Sequence, residues 1–318
     1  MAARPFRFGV TAPFRFGVTA PSVSSGAAWA ERARRAEQLG YSVLAVPDHF
    51  RDQLAPVPAL TAAALATTRL RVGSLVFSND FRHPVVLAKE AATIDVLSGG
   101  RFELGLGAGW LRAEYDQAGI SFDAPGTRVE RLEEAVTVVK GLLAGERVTF
   151  TGRHYAIADL EGWPAPVQRP HPPLLIGGGG RRTLSLAGRE ASIVGFVPRA
   201  LKDGSGLDRT DFGEAALLQK IQWVRGAAGA RFDSLELHAL IQAVVVSDQR
   251  TQAADQLASR FSVARDLVLE TPYVLLGTID EICETVRERR ERHGISYLTV
   301  FERDMETFAP VVERLAGT

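Results

Sequence analysis

Two patterns alternate along the chain: short apolar runs, and longer stretches in which apolar residues recur every three or four positions. An uninterrupted apolar run on a short strand needs cover on both faces, which a parallel sheet flanked by helices provides. The runs predict strands over residues 14–20, 43–46, 70–77, 102–106, 173–176, 192–197, 235–246 and 296–301. The helical spacing predicts helices over 26–39, 59–66, 85–97, 128–143, 183–189, 214–227, 252–264 and 279–293, with a last one ending at 315. Eight strand–helix units in 318 residues predict an α/β fold, a (β/α)8 TIM barrel ahead of an open doubly wound sheet. One segment breaks the rhythm. Val148, Phe150, Tyr155 and Ile157 around Thr151-Gly152 predict a hairpin laid over the end of the barrel.

Residues 5–12 and 13–20 both read PFRFGVTA. One sheet position takes one copy, and the second runs directly into the first helix. The expected organisation is therefore a duplicated leader, residues 1–13, lying disordered or outside the sheet, followed by a single barrel domain, residues 14–318. Charge then narrows the partners. With 37 basic and 37 acidic residues, the chain lacks the field of one sign that nucleic acids or anionic membranes require. Cys283 is the single cysteine, so neither an internal disulfide nor a cysteine metal cluster is possible. No window approaches the roughly 18 apolar residues of a membrane span. These features predict a soluble cytoplasmic protein acting on a small molecule, with no nucleic-acid or membrane partner.

In a barrel of this kind, chemistry gathers at the C-terminal strand ends. The second strand runs into Asp48 and His49, an imidazole suited to proton transfer near neutrality beside a carboxylate able to fix its tautomer. An Asp capping the loop and a His satisfied by backbone is the competing reading of the same pair. The third strand leads to Ser78, Asn79 and Asp80, and the fourth to Gly105, Gly107, Ala108, Gly109 and Trp110. Small residues there admit a flat group, and Trp110 offers a ring to stack on it. The fifth ends in Gly177, Gly178, Gly179 and Gly180, then Arg181, Arg182 and Thr183 at a helix start. Exposed backbone N–H groups, a helix N-terminus and two guanidiniums make a phosphate cradle. His154, His171, His238 and His293 lack metal-ligand spacing, and neither a GxSxG elbow nor a Walker lysine occurs, so no catalytic metal, serine hydrolase or phosphoryl transferase is expected.

Taken together, these segments resemble the luciferase-like oxidoreductases, most closely their coenzyme F420-dependent branch. The resemblance rests on Val46 to Phe50, on Arg71-Val72-Gly73 through Phe81-Arg82-His83-Pro84, on Ala88 to Arg101, on Leu104 to Trp110 and on Leu175 to Gly188. It implies a dimeric TIM barrel that holds a deazaflavin ring in its mouth, with FMN as the alternative cofactor. It further implies that Asp48, Ser78, Gly107 and Ala108 contact the cofactor, that Leu75-Val76 is a non-prolyl cis peptide against the ring, and that Gly178, Gly179, Gly180, Arg181 and Arg182 hold the phosphate. His49 would be the catalytic His, with Trp110 beside it. The reaction would be F420-linked hydride transfer. The alternatives are oxygen chemistry with reduced FMN and a barrel that carries a flavin without turnover. The family's sugar-phosphate dehydrogenase has Glu where Trp110 stands and Trp where Gln53 stands, which argues against glucose 6-phosphate as substrate. Residues 145–163, 199–212 and 265–273 would shape the substrate site.

Overall fold

Eight parallel strands close on themselves in the computed structural model, which describes residues 13–20 and 23–318. In chain order the strands are β1 (Arg15–Thr19), β2 (Val43–Val46), β3 (Arg71–Ser74), β4 (Phe77–Ser78), β5 (Phe102–Gly107), β6 (Arg147–Thr151), β7 (Ala156–Glu161), β8 (Leu174–Gly178), β9 (Ile193–Phe196), β10 (Glu236–Leu240), β11 (Ala243–Val246), β12 (Val274–Gly277) and β13 (Ile295–Phe301). The ring runs β1, β2, β3, β5, β8, β9, β10, β13 and back to β1. Its strands are the eight expected runs, so the chain is a (β/α)8 barrel. The helices are α1 (Gly26–Gln38), α2 (Pro56–Ala66), α3 (Pro84–Leu97), α4 (Arg112–Ala118), α5 (Pro125–Ala144), α6 (Arg181–Glu190), α7 (Glu214–Ala228), α8 (Arg250–Phe261), α9 (Arg265–Glu270), α10 (Ile279–His293) and α11 (Met305–Leu315). Several start with proline in the first turn, at Pro56, Pro84 and Pro125, where the missing N–H costs nothing.

The second octapeptide copy supplies β1; the first lies outside the described residues, as does its expected disorder. Phe16 and Val18 face outward into the main core beneath the helices, whereas Arg15 and Gly17 face the barrel interior. Arg15 closes the N-terminal end of that interior. It pairs with Glu103 of β5 and with Glu236 of β10 at 2.5 Å, and Arg71 of β3 reaches Glu103 at 2.7 Å. Above this charged floor Val43, Leu175, Ile193 and Tyr297 fill the barrel, and Leu75 and Val76 pack on them. The open end is the C-terminal one.

Four expectations are corrected. The run 70–77 is two strands, β3 and β4, interrupted at Leu75-Val76. The run 235–246 also divides: after Leu240 the chain leaves the ring, and β11 pairs instead with β12, a strand the sequence pattern does not predict. The hairpin β6–β7 runs along α5 rather than over the barrel end. The Glu134 carboxylate on α5 accepts the backbone N–H groups of Arg153, His154 and Tyr155 at 2.7 to 3.0 Å, which pins the hairpin turn to the helix. Finally, the helix expected over 252–264 stops at Phe261, where Ser262 takes a left-handed conformation, and α9 follows in a segment read as loop.

Candidate active site at the barrel mouth

Asp48 and His49 follow β2 on consecutive residues, and their side chains take different partners. Asp48 turns along the rim. Its carboxylate accepts the Ser78 N–H at 3.0 Å and two guanidinium N–H groups of Arg82 at 2.6 and 3.3 Å. It therefore does not fix the His49 tautomer, and that expectation is corrected. The carboxylate that faces His49 is Glu114 of α4, whose Oε2 lies 2.8 Å from His49 Nδ1. Glu114 is buried, with its side chain 5% exposed, while the His49 side chain is 27% exposed. Arg51 approaches the other Glu114 oxygen at 3.2 Å. The Trp110 ring stands edge-on to the imidazole, at 88° and 6.2 Å between centroids.

The Leu75-Val76 peptide is cis, and Val76 packs with Leu75 against the residues that fill the barrel interior. Glycines make room for it. A Cβ on Gly105 would sit 3.1 Å from Val76 Cγ1, one on Gly107 2.7 Å from Val76 Cγ2, and one on Gly177 3.3 Å from Val76 Cγ1. Three strand positions without side chains thus surround one isopropyl group, giving a low apolar step at the floor of the mouth, with Ala108 just beyond. Gly109 has a φ of +73°, and a Cβ there would overlap the Tyr115 hydroxyl. That hydroxyl lies 3.4 Å from Ser78 Oγ and donates to Asp80 at 3.1 Å, and Asp80 accepts from Arg131 at 2.7 Å. Burial first, and the Asp80 charge second, push the Tyr115 phenol well above its usual range, so it stays a protonated donor.

None of Gly177, Gly178, Gly179 and Gly180 has a positive φ. Close approach explains the first three instead: besides Gly177 against Val76, a Cβ on Gly178 would lie 2.7 Å from Thr183 Cγ2, and one on Gly179 2.6 Å from Arg199 backbone. Gly180 faces open space, and as N-cap of α6 it offers no side chain to the free N–H groups of the first turn. The two arginines diverge from this turn. Arg182 donates to Glu133 of α5 at 2.6 Å and to the Gly126 carbonyl at 3.2 Å. Arg181 turns the other way, into a cleft of about 350 Å³ between α6 and α7 lined also by Ser185, Arg189 and Trp223. A flat apolar step beside an uncapped helix start fits a tricyclic ring that carries an anionic side chain.

The residues read from the sequence converge in two groups: His49 with Trp110, and Asp48 with Ser78 around the Val76 step. The glycine turn supplies backbone, and its arginines point away from one another. Sequence reading missed Glu114 and Tyr115 because it assigns no element between the strand ending at 106 and the helix starting at 128, where α4 lies. Its signals were present: Arg112 and Asp116 pair at 3.3 Å at helical spacing, and Gly119 ends the helix with a φ of +69°.

Comparisons with known proteins bear on this geometry. A family profile described as luciferase-like monooxygenase matches residues 6–294. An F420-dependent glucose-6-phosphate dehydrogenase of Microbacterium testaceum is 35% identical over 176 residues, which are 53% of this chain and 51% of that protein. The chain thus spans about half the length of this relative. Among solved structures, the coenzyme F420-dependent tetrahydromethanopterin reductase of Methanopyrus kandleri superposes with a TM-score of 0.76 at 18% identity, covering 96% of this chain and 99% of that one. A monooxygenase of Streptomyces bottropensis superposes with a TM-score of 0.73 at 24% identity, over 95% and 97% of the two chains. At these identities the superpositions establish the fold, which reductase and monooxygenase share.

Proposed function

The chain belongs to the luciferase-like monooxygenase family, and from that premise we propose that it is a coenzyme F420-dependent oxidoreductase acting on a small organic substrate. The observation that carries the reading is the mouth itself: an apolar step of Val76 over three glycines, with one imidazole at the rim held by a buried carboxylate. When bound, coenzyme F420 supplies a hydride donor or acceptor at C5 and no oxygen activation. The similarity to an F420-dependent relative favours that cofactor over FMN. The chain's own part is then to seat the ring on Val76, to hold the phosphate at the N–H groups that follow Gly180, and to take or give the accompanying proton at His49. Asp48, Ser78, Gly107 and Ala108 border the ring's place in this reading. The rim supports an apolar substrate: Phe50 is 52% exposed, with its ring tilted against Phe81 at 4.4 Å between centroids, and Trp110 flanks His49. Gln53 folds back to the Pro47 carbonyl at 2.7 Å.

Titration with F420 and with FMN, each oxidised and reduced, tests the assignment. Micromolar or tighter F420 binding, with turnover of alcohols, imines or activated alkenes, is expected. Preference for reduced FMN, with oxygen uptake on adding substrate, overturns it.

The same reading includes a homodimer. Helix α2 has no charged residue over its length and leaves Leu65 68% exposed, and α3 beside it leaves Val86 49% exposed. A helix apolar all round needs cover. Sedimentation should give twice the chain mass for the wild type and a monomer for Leu65→Glu. A cytoplasmic setting, where the buried Cys283 stays reduced, belongs to the same proposal. Among the described residues no helix is long and apolar enough to cross a membrane.

A further inference from the structure

Among the described residues Glu114 is the buried carboxylate that touches His49, and its chemistry decides which imidazole nitrogen handles protons. An ionised carboxylate only accepts hydrogen bonds. At 2.8 Å from Oε2, Nδ1 must therefore be the donor, which fixes the neutral ring in the Nδ1–H tautomer. The lone pair is then on Nε2. Among the described residues that atom is neither buried nor hydrogen-bonded, so it is the nitrogen left open. Arg51 makes the arrangement directional. Its Nε lies 3.2 Å from Glu114 Oε1 without a hydrogen bond to it, so a cationic charge faces one carboxylate oxygen and the imidazole the other.

We propose that Glu114 is a positioning residue that locks His49 as the Nδ1–H tautomer and so makes Nε2 the single atom through which the site exchanges protons. The inference rests on reading His49 as the proton carrier. Helix α4 suits the role because it is held from both sides: the Tyr115 hydroxyl meets Ser78 and Asp80, and the Arg112 N–H donates to the Gly204 carbonyl at 3.1 Å. The carboxylate is thus set by the scaffold and not by the ring it serves.

The test is nitrogen-15 NMR of the imidazoles at a pH of about 8.5, two units above the ordinary His value, with His49→Asn to assign the signal. The wild type is expected to show a protonated Nδ1 and a bare Nε2. In Glu114→Gln, the Arg51 charge draws the amide oxygen and repels the amide NH2, which turns to Nδ1, so the tautomer should switch to Nε2–H. Glu114→Leu should also lose the Nδ1–H form. A wild type already in the Nε2–H form, or a tautomer unchanged in Glu114→Gln, overturns the proposal, and these two spectra decide it even if Glu114→Leu does not fold. Failure of the underlying reading shows elsewhere, as F420-linked turnover untouched by His49→Asn, so the two failures are told apart.

Discussion

Arg82 grips Asp48 with two guanidinium N–H groups, at 2.6 and 3.3 Å, and so ties the start of α3 to the exit of β2. Both groups are mostly buried, with side chains 18% and 6% exposed, and Arg82 also lies over the Phe77 ring at 4.6 Å. Removing one partner of such a pair strands the other charge out of water, at about 3 kcal/mol or more. Arg82→Met should lower the free energy of unfolding by about that amount, read from denaturant midpoints at unchanged slope. It should also loosen the rim on which His49 stands. A loss below about 1 kcal/mol would mean that water reaches Asp48 and takes over the role of Arg82.

The glycines of the mouth separate into two kinds, and substitution should tell them apart. A Cβ on Gly105 would lie 2.0 Å from the Ser74 carbonyl oxygen, a backbone atom that cannot swing away. Gly105→Ala should cost about 3 kcal/mol of stability through overpacking. Gly180 has nothing within 4 Å and an ordinary φ of −94°. Gly180→Ala should therefore cost under about 1 kcal/mol, the usual difference at a helix N-cap. Its methyl group nevertheless intrudes on the anion's place, so F420 binding should weaken about tenfold by fluorescence titration, the equivalent of roughly 1.4 kcal/mol. Unchanged affinity would move the phosphate away from this turn.

Arg181 and Arg182 are neighbours in sequence with different electrostatic surroundings. Glu133 holds Arg182 at 2.6 Å and offsets its charge, while Arg181 has no acidic partner within 4 Å among the described residues. Arg181→Gln should weaken F420 binding several-fold, steeply at low salt, because an unpaired cation near an anion acts over a Debye length. Arg182→Gln should change it by less than about twofold. Equal losses from the two substitutions would show that Arg182 leaves Glu133 when the cofactor binds.

These contrasts mark where sequence reading succeeds. A strand covered on both faces must be apolar throughout, so all eight ring strands were visible, and the glycine turn and the Asp48-His49 pair followed from their places at strand ends. What decides the chemistry lay in contacts between distant segments. Glu114 reaches His49 across 65 positions and Arg131 reaches Asp80 across 51, and no local spacing records either. Asp48, adjacent to His49 in sequence, is the natural candidate to orient it, yet its carboxylate is taken up by Arg82 and the Ser78 N–H. The direction of the two arginines was equally hidden, because it depends on Glu133 of α5. Lys220 belongs to the same class. It is fully buried on α7 and pairs with Asp211 at 2.6 Å and with the Val197 carbonyl at 3.0 Å, anchoring a segment that sequence alone marks only as polar.

His238 shows how the barrel interior responds to acid. It is fully buried on β10, its Nε2 lies 2.9 Å from Thr299 Oγ1, its Nδ1 has no hydrogen-bond partner among the described residues, and its ring packs edge-on to Tyr297 at 4.5 Å. Burial first, and the nearby Arg15 charge second, push its pKa down to about 3. In the unfolded chain the group titrates near the ordinary value of about 6.5. Between those two values the unfolded state takes up a proton that the folded state refuses, so stability falls as pH falls through this window and is fully present above it. The slope from this one residue is at most about 1.4 kcal/mol per pH unit. His238→Gln keeps a hydrogen-bonding group facing Thr299 and removes the titration. Between pH 6.5 and 4.5 the wild type should therefore lose about 2 to 3 kcal/mol more than the variant, measured by urea unfolding at each pH. His293, also pushed down by burial, is common to both proteins and cancels in the difference. Equal slopes would mean that His238 is protonated inside the folded barrel, with water or a carboxylate reaching Nδ1.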